Sequence, residues 1–200
     1  RWLRYPSGPV RPGGEPGPLD EFMPQAEVDE RVSIYVAALP AAVIAAARSL
    51  DLARIPAVRA LFASRAFLTG AGRGSGIPSG PFMTQVRSLG WELLAEEAGR
   101  FVIFGAVTKP WEGNVLFRPL KPPEFLAFDE PGFAKIAWTV RVESQGSGSL
   151  CVTETRVVTT SAEARRKFRR YWAVFSPGIL LIRYIALWSI KGAAERSRTL

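Results

Sequence analysis

The most constraining stretch of this sequence runs from Phe133 to about Arg198, because its apolar period changes once, from that of a strand to that of a helix. From Ala134 to Val142 every second residue is apolar (Ala134, Ile136, Trp138, Val140, Val142), while Lys135, Thr139, Arg141 and Glu143 fill the other set. A period of two belongs to a strand buried on one face. Ser144-Gln-Gly-Ser-Gly148 then supplies turn residues, and Leu150 to Thr160 is dense in Val and Thr, which suit a pleated surface. The two segments read as an antiparallel hairpin. Beyond it Ala164, Phe168, Trp172, Phe175, Ile179, Ile182, Ala186 and Ile190 recur at three and four, the stripe of an amphipathic helix. Thr160 stands three residues before Glu163, a capping-box spacing that predicts the helix start. A one-sided sheet and a one-sided helix bury their apolar surfaces best against each other.

The expected fold is therefore α+β: a curved antiparallel sheet with a long C-terminal helix packed across it, kinked near Pro177-Gly178 where proline breaks the hydrogen-bond ladder. The 200 residues suffice for one such core and a tail. The tail is N-terminal. Pro6, Pro9, Pro12, Pro16, Pro18 and Pro24, with glycines between Gly8 and Gly17, leave no room for helix or central strand, so residues 1–27 read as an extended arm and residues 28–198 as the domain. Trp2, Leu3 and Tyr5 could dock the arm, and an unstructured tail fits the composition equally. The chain begins without Met or an apolar signal core, as a fragment or processed product would.

Along the domain, Val32, Ile34 and Val36 alternate with Arg31, Ser33 and Tyr35 in a first strand, Val28 to Ala37. Pro40 suits the first position of a helix continuing through Ala41 to Asp51, and a second short helix spans Ile55 to Ser64 with Val58, Leu61 and Phe62 inward. Thr69 to Gly90 reads as a glycine-rich loop or lid. The dinucleotide fingerprint fails there, because Ser75, Ile77 and Ser79 occupy the positions of its last glycine, and no Lys follows a glycine as a phosphate loop requires. Trp91 to Ala98 and Arg100 to Val107 give two more strands about a tight turn. In Thr108 to Pro131, rich in proline and aromatics, one short edge strand is expected near Asn114 to Arg118 or around Phe125 to Phe128.

The order strand, two helices, antiparallel strands and long C-terminal helix resembles the helix-grip fold of the START-related, Bet v 1-like and polyketide cyclase-like (SRPBCC) superfamily. The words that carry the resemblance are Val32-Ser-Ile-Tyr-Val36, Leu39-Pro-Ala-Ala-Val43, Gly105-Ala-Val-Thr-Lys-Pro-Trp111, Phe133-Ala-Lys-Ile-Ala-Trp138 and Thr153-Glu-Thr-Arg-Val157 leading into Arg165-Arg-Lys-Phe-Arg-Arg170. The resemblance implies an apolar cavity between sheet and last helix that takes a lipid, sterol, polyketide or other hydrophobic small molecule. It also implies that a cyclase- or dehydratase-like enzyme is the alternative.

The residues expected to line that cavity are Tyr35, Phe104, Trp111, Ile136, Trp138, Val140, Thr153, Thr155 and Trp172. On the last strand Cys151, Thr153, Thr155 and Val157 are assigned inward, with Glu154 and Arg156 outward. The opposite assignment would bury Glu154 and Arg156 as a polar pair inside, the best sign of catalysis the chain could give. Otherwise catalysis lacks means: with no histidine there is no imidazole, and the single Cys151 has neither an activating base nor a disulfide partner. No metal and no cofactor are expected. Glu96-Glu97 and Asp129-Glu130 sit beside turns as solvated pairs.

The net charge of +8 is concentrated at the end, where residues 162–200 hold nine basic residues against two acidic ones. Arg165, Arg166, Arg169 and Arg170 form a ridge that either solvates the helix or faces an anionic membrane; nucleic acid is not the expected partner, since no binding motif accompanies the charge. Tyr171 to Ile190 is long enough to span a bilayer and carries one charge, Arg183. Against spanning stand that arginine, Pro177-Gly178 and a sheet face needing a cover. A cytoplasmic domain, touching membranes peripherally if at all, is the expected setting, and the sequence leaves oligomeric state open.

Overall fold

In the computed structural model, which describes residues 17–69 and 79–197, the strand-forming segments meet in one six-stranded antiparallel sheet. The elements are β1 (Val28–Val36), α1 (Pro40–Ser49), α2 (Pro56–Thr69), α3 (Phe82–Ser88), β2 (Glu92–Glu97) and β3 (Phe101–Thr108). They continue with β4 (Phe117–Arg118), α4 (Pro122–Ala127), β5 (Ala134–Gln145), β6 (Gly148–Thr159) and α5 (Ala162–Arg196). The sheet runs β1-β6-β5-β3-β2, with the two-residue β4 on β3. This is the α+β helix-grip architecture, with the first and last strands side by side and α5 against their inner face.

The hairpin of β5 and β6 is the backbone of the sheet. Its strands pair from Ala134 opposite Thr159 to Gln145 opposite Gly148, and Gly146 takes the left-handed φ of 59° that the tight turn requires. α5 then starts one residue later than the capping-box spacing implied. Ser161 is the N-cap and accepts from the Ala164 amide at 3.1 Å. Thr160 is engaged elsewhere: its hydroxyl accepts from the Phe133 amide at 2.9 Å and donates to the Phe133 carbonyl at 3.1 Å. From there α5 continues through Pro177 as one 35-residue run.

Two elements depart from the sequence expectation. The segment around Phe125 to Phe128 is not a strand but the end of α4, which Pro122 opens at a position needing no amide donor, while Glu124 accepts from the Lys121 amide at 3.0 Å. Part of the glycine-rich connection is helical as well: α3 carries Phe82 and Met83 onto the core. The nucleotide-loop positions 70–78 lie outside the described residues.

The sheet is covered on both faces. Inside, Val32, Val36, Phe104, Val140, Val142 and Cys151 pack with Val43 and Ile44 of α1 and Leu187 and Ile190 of α5. Outside, Ile103, Val107, Ala137 and Leu94 are covered by Phe125 of α4 and by Leu19, Phe22 and Met23 of the arm. Gly105 allows that approach, because a Cβ there would collide with Leu94 and meet Phe125. The arm residues from 17 onward are thus folded onto the domain; Trp2, Leu3 and Tyr5 lie outside the described residues.

Glu154 and Arg156 point to this outer face, away from the helix, as the outward assignment has it. They are not solvated, however: they are 2% and 3% exposed. Arg156 Nε and Nη2 both lie 2.9 Å from Glu154 Oε1, and Nη1 reaches Asp20 Oδ1 at 2.6 Å and the Met23 carbonyl at 2.7 Å. The arm converts an expected surface pair into a buried clasp.

Candidate functional site

Register decides which side chains share the inner face. Ile136 stands opposite Val157, Trp138 opposite Thr155, Val140 opposite Thr153 and Val142 opposite Cys151. Phe104 flanks Trp138 from β3, and Val32 flanks Thr153 from β1. Since neighbours along a strand alternate between faces, Phe104, Ile136, Trp138, Val140, Thr153 and Thr155 line one surface. Trp172 meets it from α5, packed with Val28, Val157 and Phe168, and Trp111 packs against that end cluster. Tyr35 does not belong to the face. It is 42% exposed on the outward set of β1, with Lys191 Nζ 5.9 Å from its ring centre. The alternation that turns Val32, Ile34 and Val36 inward turns Tyr35 outward, and an aromatic ring does not alter that parity.

At the middle of this surface Trp138 stacks on Phe104 at 4.9 Å between centroids and meets Phe82 at 5.5 Å and Trp91 at 6.0 Å. Phe104 is fully buried, whereas Trp138, Ile136 and Ile34 are half-buried. Two polar groups approach from α5. The indole Nε1 of Trp172 is buried without a hydrogen-bond acceptor, an arrangement that costs about 1–3 kcal/mol when nothing fills the role. Arg183 donates from Nη1 to the Glu30 carbonyl at 3.2 Å, and burial pulls its guanidinium down to about 10, against the pull of Glu30 and Glu154. Between α1, α3 and the sheet the open volume is about 10 Å³, lined by Ile44, Ala47, Phe82, Met83, Val102 and Val140. That is about one water. Phe82 and Met83, from the stretch read as a glycine-rich loop or lid, and Trp91, from the strand expected after it, pack against this core.

The reactive groups are elsewhere or quiet. Cys151 is fully buried, and burial pushes its thiol up to about 12, so thiolate chemistry is closed to it at neutral pH. Glu154 and Arg156, whose presence inside would have spoken for acid–base work, lie across the sheet from Trp138's face.

The sheet-facing stripe of α5 is Ala164, Phe168, Trp172, Ser176, Leu187, Ile190 and Ala194, with Arg183 in the same line. Phe175, Ile182 and Ala186, expected in that stripe, stand one residue away from the line that packs. The middle of the helix is apolar on every side, so hydrophobicity marks no face there. On the outward side Val174 is 64% exposed and Trp188 62%, and Leu181 and Tyr184 are about half exposed. Of the basic ridge, Arg165 binds Glu27 at 2.9 Å. Arg166, Arg169 and Arg170 are exposed and take part in none of the ion pairs among the described residues. The acids that could have met them are engaged: Glu96 with Arg48, Glu97 with Arg100, Glu163 with Lys167.

No family model matches this chain, and no curated protein matches it. Among solved structures, one described as the crystal structure of Ara h 8.0201 aligns over 84% of this chain and 97% of that chain, at 11% identity and a TM-score of 0.26. At that identity and score the likeness adds nothing to the sheet-and-helix architecture already described.

Proposed function

We propose that the domain holds a small hydrophobic molecule, without a covalent bond, between the inner face of the sheet and α5. The observation that carries this reading is the half-covered aromatic wall at Trp138, set on a surface whose neighbouring Phe104 and Val140 are buried. Ligand sites of this type are mostly apolar with a few placed polar groups. The hydroxyls of Thr153 and Thr155 share the wall's face, and the Trp172 indole offers a donor in want of an acceptor. Because only about 10 Å³ is open between α1, α3 and the sheet, binding in this reading displaces Phe82 and Met83 of the two-turn α3. Catalysis is not favoured by any group on this face.

Native mass spectrometry of the chain purified from cells, with organic extraction of whatever accompanies it, tests the proposal. Titration with anilinonaphthalene sulfonate follows it in solution. A co-purifying apolar molecule is expected, and Trp138→Ala should weaken probe binding at least tenfold. That substitution also removes core packing, at about 3 kcal/mol, the low end for a large aromatic, since the ring is half-covered. Binding is therefore compared at a temperature where both forms are folded. If no molecule accompanies the chain and the probe does not respond, Trp138 is ordinary core.

A further inference from the structure

We infer that the outward face of α5 is a docking surface for the anionic leaflet of a lipid bilayer, on which the domain lies without spanning it. At 100° per residue, Arg166, Arg170, Val174, Pro177, Leu181, Tyr184 and Trp188 fall within a single arc of about 80°, roughly opposite the line that packs on the sheet. The basic and the apolar parts are therefore one surface: two arginines at its start, then Val174 to Trp188 over about 21 Å of helix. Its exposure is real on both counts. Val174 and Trp188 are each more than three-fifths exposed, and Arg166 and Arg170 join none of the ion pairs among the described residues. α5 contains an 18-residue window long and apolar enough by composition to cross a membrane, with a mean hydropathy of 1.6, yet only 17% of that window is buried.

Charge selects the occupant. The exposed acid of the arc, Glu163, is tied to Lys167, and Glu195 is tied to Lys191 and the Ala37 amide, so the same arc of a second copy of this +8 chain would set arginines against arginines with only these engaged carboxylates between them. An anionic lipid surface supplies countercharge to Arg166 and Arg170 and an apolar boundary to Val174 and Leu181, and Tyr184 and Trp188 have the amphipathic rings that settle at headgroup depth. Spanning is disfavoured because it would take the sheet's cover away and carry Arg183 from its bond with Glu30 into hydrocarbon.

Co-flotation of the full chain with phosphatidylcholine vesicles, and with vesicles also containing phosphatidylglycerol, at low salt decides the matter. Binding should favour the anionic vesicles and be released by alkaline carbonate. Arg166→Gln with Arg170→Gln should weaken it on the order of thirtyfold. Leu181→Gln with Trp188→Gln, both at exposed positions, should weaken it without altering the far-ultraviolet circular dichroism. Equal binding to both vesicle types, indifference to either double substitution, or resistance to carbonate overturns the inference. So does self-association, measured by sedimentation without lipid, that Leu181→Gln and Trp188→Gln abolish while no vesicle binding is seen.

Discussion

The two faces of the sheet are closed by different physics. The outer face is sealed by a short arm whose Leu19, Phe22 and Met23 are buried and whose Asp20 and Met23 carbonyl saturate Arg156. The inner face is covered by larger helices, yet leaves Trp138 half-covered and Trp172 Nε1 unpaired. A buried guanidinium needs all of its partners at once, so the outer face tolerates little movement. An apolar wall needs only contact, so the inner face can exchange one apolar neighbour for another. The rigid side and the adaptable side of one sheet are thus set by where the charges are buried.

The largest expected effect tests the outer face. Arg156→Met should cost about 3–5 kcal/mol in urea denaturation, because Glu154 is left buried without its guanidinium. Pairing it with Glu154→Leu should recover much of that loss. If the single change costs under about 1 kcal/mol, apolar contact holds the arm and the contrast between the faces fails. A smaller effect tests the start of the inner cover: Ser161→Ala removes the cap of α5 and should cost about 1 kcal/mol, whereas Thr160→Ala should act through the Phe133 turn instead.

The smallest effect lies where the arm meets α5. Burial pushes the Glu27 carboxyl up, but hydrogen bonds from Arg165 and Thr159 outweigh it and hold the group below its ordinary 4.5. A group with a lowered folded value stabilises fully above the unfolded value and ceases to do so as pH falls through the folded one. Stability should therefore decline below about pH 4.5, and Glu27→Gln should flatten that part of the pH profile measured by thermal melting. An unchanged profile would mean that the junction contributes nothing.

Much of the fold was legible from local signals: β1 and β5 follow from alternation, β3 and β6 from strand-forming residues between turns, and the existence and length of α5 from the change of period, though Phe175, Ile182 and Ala186 of the expected stripe stand off the line that packs. What escaped were features decided by neighbours. Thr160 and Ser161 both carry a capping hydroxyl, and only the Phe133 turn, which takes Thr160, assigns the cap. α3 was hidden by the glycines around it. The arm's anchor was present as Leu19, Phe22 and Met23 at helical spacing, but six prolines in residues 1–25 masked it. Glu154 and Arg156 could be assigned to a face, not to solvent or interior, since the residues that bury them come from more than a hundred positions earlier. Of the candidate residues on strands, Phe104, Ile136, Trp138, Val140, Thr153 and Thr155 share the inner face, whereas Tyr35 was chosen for its ring against the parity of β1.

The placement of α5 also bears on self-association. Among the described residues β1 is an edge strand, paired with β6, and such edges invite further strands to add. Arg183 lies on the carbonyl of Glu30 and Lys191 on that of Tyr35, so two cations of the helix occupy backbone acceptors along β1 while the helix body packs beside it. α5 therefore guards against polymerisation as well as covering a core. A chain cut short before Arg183 would keep most of its apolar hairpin and lose that guard, and its expected fate is growth into strand-paired aggregates rather than a smaller folded domain.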